Sequence, residues 1–262
     1  MAFDLTGKRA LVMGVANSHS IAWGIAKALH GAGAELAFTY QGEAFGRRVA
    51  PLAAEVGSDF LVDADVTDDA SLDRAFDAVA ERWGTLDILV HAIAFSDKDE
   101  LQGRFINTTR ANFRTSMEIS CYSLIDVAGR ARPLMTDGGS IITLTYQGSQ
   151  RVTPNYNVMG VAKAALESAV RYLANDLGPE GIRVNAISPG PMKTLAGAAI
   201  GGARATFRHI EANAPLRANA TLEAIGGTAV WLSSEAGGST TGATILVDGG
   251  FHVLSMPQPE NL

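Results

Sequence analysis

Short apolar runs alternate with amphipathic stretches along almost the whole chain. The runs at 9–14, 34–40, 59–62, 86–92, 140–145, 183–188 and 244–247 are rich in Val, Ile and Leu and nearly continuous. Unbroken apolar character is expected of strands buried on both faces of a parallel sheet. The intervening stretches 21–32, 43–56, 70–83, 115–135, 156–177 and 222–233 carry helical periodicity. Gly178-Pro179 stops one of these helices, and Thr67-Asp68-Asp69 and Asn155 are N-cap candidates. Such alternation predicts an α/β fold: one doubly wound, mostly parallel seven-stranded sheet with helices on both faces, spanning 1–262. The segment 190–215 has no strand pattern and is rich in Gly and Ala, which predicts a substrate-binding lid carrying short helices. The polar, Pro-containing tail 256–262 is expected to fray or to pack on a neighbour.

Composition narrows the partners. Apolar residues make up 47% and charged residues 18%, a globular balance. A formal net charge of −6 argues against nucleic acid or an anionic membrane as partner. Cys121 is the single cysteine, so neither an internal disulfide nor a cysteine metal cluster is expected. The first residues lack a signal-peptide core and no stretch has bilayer-spanning length, so a cytoplasmic location without membrane contact is expected.

Gly14-Val15-Ala16-Asn17-Ser18-His19-Ser20-Ile21-Ala22-Trp23-Gly24 follows the first strand. Glycine at a strand end lets the backbone approach a pyrophosphate, and the next helix offers free N–H groups. The spacing is longer than G-x-G-x-x-G and leaves open a ligand-free glycine turn; its place after the first strand favours a Rossmann-type nucleotide site. Ser20 could donate to a phosphate. The second strand ends in Tyr40-Gln41 with Glu43 close behind. No basic residue adjoins it and a 2′-phosphate would be repelled by Glu43, which favours NADH over NADPH. Asp65-Val66 either receives the adenine amino group or turns the chain.

Tyr156 and Lys163 stand seven residues apart. On one helix that is about 700°, close to two turns, so both side chains would share a face about 10 Å apart along the axis. A core tyrosine and a lysine snorkelling to solvent would have the same spacing.

The chain resembles the short-chain dehydrogenase/reductase family. Thr241-Gly242-Ala243-Thr244-Ile245-Leu246-Val247-Asp248-Gly249-Gly250 is similar to the family's last strand, and Arg183-Val184-Asn185-Ala186-Ile187-Ser188-Pro189-Gly190-Pro191 to its sixth strand and turn. His91-Ala92-Ile93-Ala94, the wide Tyr156–Lys163 spacing and a second tyrosine, Tyr146, depart from ordinary members. Those departures, with Ser20-Ile21-Ala22-Trp23-Gly24, Thr39-Tyr40-Gln41 and Pro154-Asn155-Tyr156-Asn157-Val158-Met159-Gly160, resemble the divergent branch of enoyl-acyl-carrier-protein reductases of bacterial fatty-acid synthesis.

That resemblance implies NADH-dependent reduction of the C2=C3 bond of trans-2-enoyl thioesters on acyl carrier protein. Tyr146, Tyr156 and Lys163 would be catalytic. Tyr156 would stabilise the enolate oxygen, with its pKa lowered by the Lys163 cation, and Lys163 would hold the ribose. Cofactor contacts would come from Gly14, Ser20, Ile21, Gln41, Asp65, Val66, Ala94, Lys163, Met192 and Thr194, with no metal. Ala94 stands where relatives often carry Gly and would narrow the space beside the nicotinamide. Lys193, Arg204, Arg208 and Arg217 would form a basic rim for the acidic carrier protein. A homotetramer with the helices at 115–135 and 156–177 in its interfaces is also implied. The competing readings are a ketone-reducing short-chain enzyme and a non-catalytic NAD(H)-binding protein.

Overall fold

The computed structural model describes residues 2–195, 197 and 201–261. Seven strands form one sheet: β1 Arg9–Met13, β2 Glu35–Tyr40, β3 Leu61–Asp63, β4 Ile88–His91, β5 Gly139–Leu144, β6 Ile182–Pro189 and β7 Thr244–Val247. Their spatial order is β3-β2-β1-β4-β5-β6-β7, and every neighbouring pair is parallel. The chain steps outward from β1 in both directions, so the switch point lies between β1 and β4, where a doubly wound sheet opens a crevice at its C-terminal edge.

The continuous apolar runs are explained by burial on two sides. Leu11 and Met13 pack with α3 (Asp69–Trp83), α5 (Ser123–Ala131) and α6 (Asn157–Leu177) on one face. Ala10 and Val12 alternate onto the other face, against α1 (Ile21–Gly31), α2 (Gly42–Glu55) and a helix at Leu222–Ser233. No helix among the described residues is long and apolar enough to cross a membrane.

Three local expectations need correction. Positions 59 and 60 lie before β3, which is only three residues long. The stretch 115–135 is not one helix. Thr109 caps α4 (Arg110–Met117) by accepting from the Asn112 N–H at 3.1 Å, so the helix starts earlier than its apolar pattern. A π-turn, Glu118–Tyr122, then separates α4 from α5. The turn brings Ser120 and Ser123 inward onto the end of β4: Ser120 Oγ accepts from Phe95 N at 2.9 Å and Ser123 Oγ meets His91 Nε2 at 2.8 Å. Third, Asn155 is not an N-cap. It adopts φ 59°, and Tyr156 occupies the position immediately before α6.

Segment 190–215 carries no strand among its described residues, and the helix Ala203–Asn213, α7, occupies its second half; we number the Leu222–Ser233 helix α8. Ala196 and 198–200 lie outside the described residues. The tail does not fray through 261. Gln258 N–H donates to Asn213 Oδ1 at 2.8 Å, and Asn261 Nδ2 donates to Ala212 O at 3.2 Å, so the tail seats on the end of α7.

Gly14 closes β1 at φ 98°, and a methyl there would collide with the carbonyl oxygen of Ala92 across the switch point. Gly14→Ala is expected to cost at least about 1–3 kcal/mol through overpacking and backbone strain and to weaken NADH binding. Thermal melts and cofactor titration check this. Wild-type values in both would contradict the close approach.

Candidate active site

The residues singled out from sequence gather along the C-terminal edge of the sheet. Asp65 and Val66 follow β3, Gln41 follows β2, Gly14 and Ser20 follow β1, Ala94 follows β4, Tyr146 follows β5, and Met192 and Thr194 follow β6. Ile21 opens α1.

Ser20 also has a structural role in its own turn. Its Oγ accepts from Ala16 N and Asn17 N at 3.0 and 3.1 Å, so it shapes the glycine turn from within. It gives α1 no side-chain cap. The uncapped start of α1, just beyond the C-terminal end of β1, with the positive end of the helix dipole, fits a pyrophosphate. Gln41 Nε2 donates to Asp65 Oδ2 at 2.8 Å, tying the ends of β2 and β3 where an adenosine would lie. Burial alone would raise the Asp65 carboxyl, but hydrogen bonds from Thr67 and Gln41 outweigh it and hold its pKa below the ordinary value. The turn-forming role of Asp65 is thus present, through Thr67 N–H at 2.9 Å, and its second oxygen engages Gln41. Glu43 is paired with Arg47 at 3.4 Å on an exposed helix face. Thr194 Oγ1 accepts from Gly197 N at 2.9 Å, and Met192 packs against the α1-side core.

Tyr146 and Tyr156 meet edge to face, ring centroids 5.2 Å apart at 72°. Tyr156 is buried with Leu101 and Met159. The asparagines beside it fix its place. Asn155 Nδ2 donates to Gly201 O at 2.7 Å, and Asn157 Nδ2 reaches Gln102 O at 2.9 Å, joining the segment after β6 and the loop after β4 to the start of α6. The spacing of seven runs from the capping position of α6, where Tyr156 O accepts from Gly160 N at 3.0 Å, to Lys163 within the helix.

Lys163 does not snorkel. It is 5% exposed, and its ammonium donates to Leu144 O at 2.8 Å, at the end of β5. Burial lowers its pKa to about 8, against the opposing pull of Cys121 and Glu167. The expected depression of the Tyr156 pKa is also reversed. Burial first, and Tyr146 second, push that phenol above its ordinary value, so it is an uncharged donor at neutral pH. Burial raises Tyr146 as well, against a hydrogen bond from Gln147. A groove of about 400 Å³ opens beside Tyr146 toward α7, lined in part by Arg151, Val152, Pro154, His209 and Phe251.

Sequence reasoning missed four contributors. His91, at the end of β4, is fully buried between Thr143 Oγ1 at 3.0 Å and Ser123 Oγ at 2.8 Å. Asn157 and Ser120 were hidden because their partners are backbone groups far along the chain. Glu167 had a local signal, a charge one helical turn after Lys163 in an apolar helix.

Parallel strands wound in this order, with a buried lysine on the helix after β5 and a tyrosine just ahead of that helix, set the chain among the short-chain dehydrogenase/reductase-like oxidoreductases. Residues 14–252 match the family described as Enoyl-(Acyl carrier protein) reductase. The chain is 60% identical over 258 residues to "Enoyl-[acyl-carrier-protein] reductase [NADH] 2" of Rhizobium meliloti (strain 1021), covering 98% of this chain and 96% of that one. The solved FabI of Candidatus Liberibacter asiaticus superposes with a TM-score of 0.96 at 52% identity, over 98% of this chain and 100% of that one. The enoyl-acyl-carrier-protein reductase of Anaplasma phagocytophilum, solved in complex with NAD, gives 0.94 at 53% identity, over 97% of each. This chain belongs to the enoyl-acyl-carrier-protein reductase family.

The buried imidazole has a pH consequence. Burial, and secondarily the Lys163 charge, lower the His91 pKa from 6.5 to about 3. Between those values the unfolded chain binds a proton that the folded chain refuses. Its contribution to stability is full above pH 6.5 and falls toward pH 3, by about 1.4 kcal/mol per pH unit. Denaturation at stepped pH should give a shallower acid slope for His91→Gln than for wild type. Equal slopes would contradict a neutral buried His91.

Proposed function

We infer that this chain is an NADH-dependent oxidoreductase that reduces the C2=C3 bond of trans-2-enoyl thioesters on acyl carrier protein, within bacterial fatty-acid elongation. The observation that carries this reading is the partly buried Tyr146 packed edge to face on the buried Tyr156, at the sheet edge that also holds the buried Lys163. The reduced nicotinamide supplies the hydride, which adds to C3. Negative charge then develops on the thioester oxygen, remote from the carbon attacked, and the enolate takes a proton from solvent at C2 to complete the reduction. Tyr156, buried and uncharged, donates a hydrogen bond to that oxygen as the charge appears. The adjoining Tyr146 ring limits the angles open to the phenol. Lys163, anchored on Leu144 O, presents its other N–H donors to the ribose hydroxyls. Gly14, Ser20 and Ile21 serve the pyrophosphate, Gln41, Asp65 and Val66 the adenosine, and Ala94, Met192 and Thr194 the nicotinamide end.

The chain works as one unit over 1–262, with 190–215 as the lid over the thioester. Asn155 links the residue before Tyr156 to that lid and Asn157 links the residue after it to the loop following β4, so closing the site and placing the phenol are mechanically joined. The groove beside Tyr146 accommodates part of the acyl thioester. Lys193, Arg204, Arg208 and Arg217 are exposed near the lid and suit an acidic carrier protein. Two of them are partly engaged: Lys193 lies over the Phe207 ring at 4.4 Å, and Arg217 pairs with Glu260 at 3.2 Å. Arg204 and Arg208 are therefore the stronger candidates for steering. Exposed Tyr122 and Ile125 around α5, and Tyr172 on α6, suit burial in a homotetramer. A cytoplasmic site of action accords with this chemistry.

Loss of NADH absorbance with crotonyl and longer enoyl thioesters, compared with ketone substrates, tests the reaction. Oxidation driven by ketones alone would overturn it. Tyr156→Phe should lower kcat by about 10²–10³-fold with a much smaller change in NADH affinity, whereas Lys163→Ala should weaken both. Full turnover by the Lys163 variant would remove its assignment. Neutralising Arg204 and Arg208 should flatten the salt dependence of kcat/KM with carrier-linked substrate. An unchanged salt slope would place the docking surface elsewhere.

A further inference from the structure

One buried acid takes no part in the chemistry above. Glu167 lies on α6, one turn beyond Lys163, and is 7% exposed. A carboxylate in such surroundings is costly unless its oxygens are hydrogen-bonded. Thr145 Oγ1 donates to Glu167 Oε1 at 2.7 Å, and Ser149 Oγ donates to the same oxygen at 2.5 Å. These two donors flank Tyr146 in sequence, one at the end of β5 and one in the turn Gln147–Ser149.

The same short connection is held at two further points. Lys163 grips Leu144 O, the residue before Thr145. Gly148 lies so close to α6 that a methyl on Gly160 would come within 2.7 Å of its carbonyl oxygen. Leu144, Thr145, Gly148 and Ser149 are thus all seated on α6, with Tyr146 carried between them. Among these contacts Glu167 alone couples two positions around Tyr146 to the helix that bears the ribose-binding lysine.

Electrostatics gives the residue a second effect. The groups facing the Lys163 ammonium are Glu167 from its own helix, Cys121 from the π-turn and His91 from β4, while β5 contributes the Leu144 carbonyl. Burial keeps the Cys121 thiol protonated and the His91 ring neutral. Glu167 is the one carboxyl group in this set, and after Cys121 it opposes the effect of burial on Lys163.

We propose that Glu167 is a positioning residue for the reaction: it clamps the connection that presents Tyr146 and keeps Lys163 in its cationic form for the ribose. The proposal rests on the assignment of Lys163 to the cofactor and of Tyr146 to the substrate side. Three variants separate the clamp from the charge. Gln retains an oxygen for the two hydroxyls but removes the charge. Asp retains the charge but draws it back by one methylene. Ala removes both.

The full-length protein is titrated with NADH by fluorescence from pH 6 to 9.5, and kcat with crotonyl thioester is measured across the same range. Wild-type affinity is expected to fall as pH rises through about 8, the region in which Lys163 deprotonates. In Glu167→Gln that alkaline limb should move down by about one pH unit, making NADH binding at pH 8 about fivefold weaker than wild type. Glu167→Asp should keep the wild-type limb while kcat falls about tenfold or more, because Tyr146 is less firmly placed. Glu167→Ala should show both changes.

A wild-type alkaline limb in Glu167→Gln would overturn the charge role. Wild-type kcat in Glu167→Asp, with only a lowered melting temperature, would overturn the clamp. The NADH titrations of wild type and Glu167→Gln need no enoyl substrate. A wild-type protein that binds NADH but ignores enoyl thioesters would therefore defeat the proposed reaction without deciding the pH result for Glu167.

Discussion

An ammonium group enclosed between a helix and the end of a parallel strand is the constraint on which the site depends. Lys163 could reach solvent from many helix positions, yet here it is 5% exposed and bonded to a strand carbonyl. Burying a charge this deeply is unfavourable unless neighbours compensate it. The compensation comes from the Leu144 carbonyl and from Glu167 a turn away, and both bind the β5–α6 connection to α6. Keeping Lys163 charged and holding Tyr146 in place are consequently one structural problem with a shared solution.

The second requirement is that the phenol stay protonated. Tyr156 sits in an apolar pocket with Tyr146, Leu101 and Met159, and burial favours its neutral form. A neutral donor aimed at a developing oxyanion stabilises the transition state more than the ground state, where less charge has formed. An ionised tyrosine would repel that oxygen. In the proposed function, Lys163 serves the cofactor and the neutral phenol is left free to donate.

The broad architecture was legible because strands buried on both faces, such as Ala10–Leu11–Val12–Met13, leave an uninterrupted apolar run that no other local structure explains as well. Gly14, Gln41 and Asp65 were legible from that reading because each lies just beyond a strand, whereas Ile21, Ala94, Lys163, Met192 and Thr194 were singled out through the family resemblance. What failed was local geometry set by tertiary partners. Asn155 turns left-handed and bonds to Gly201, forty-six residues away, so the helix begins one residue after Tyr156. The π-turn at Glu118–Tyr122 exists to serve Phe95 and His91, whose proximity no periodicity could reveal. The sign of the Tyr156 shift was missed because charge proximity was inferred from spacing, whereas burial decides it.

The most direct measurement is a crystal structure of the protein with NADH and a non-reducible enoyl-thioester analogue. The expected result is Lys163 Nζ bonded both to Leu144 O and to a ribose hydroxyl, with Tyr156 Oη within hydrogen-bonding distance of the thioester oxygen. A complex in which Lys163 abandons Leu144 for solvent, or in which Tyr156 is turned from the thioester, would contradict it.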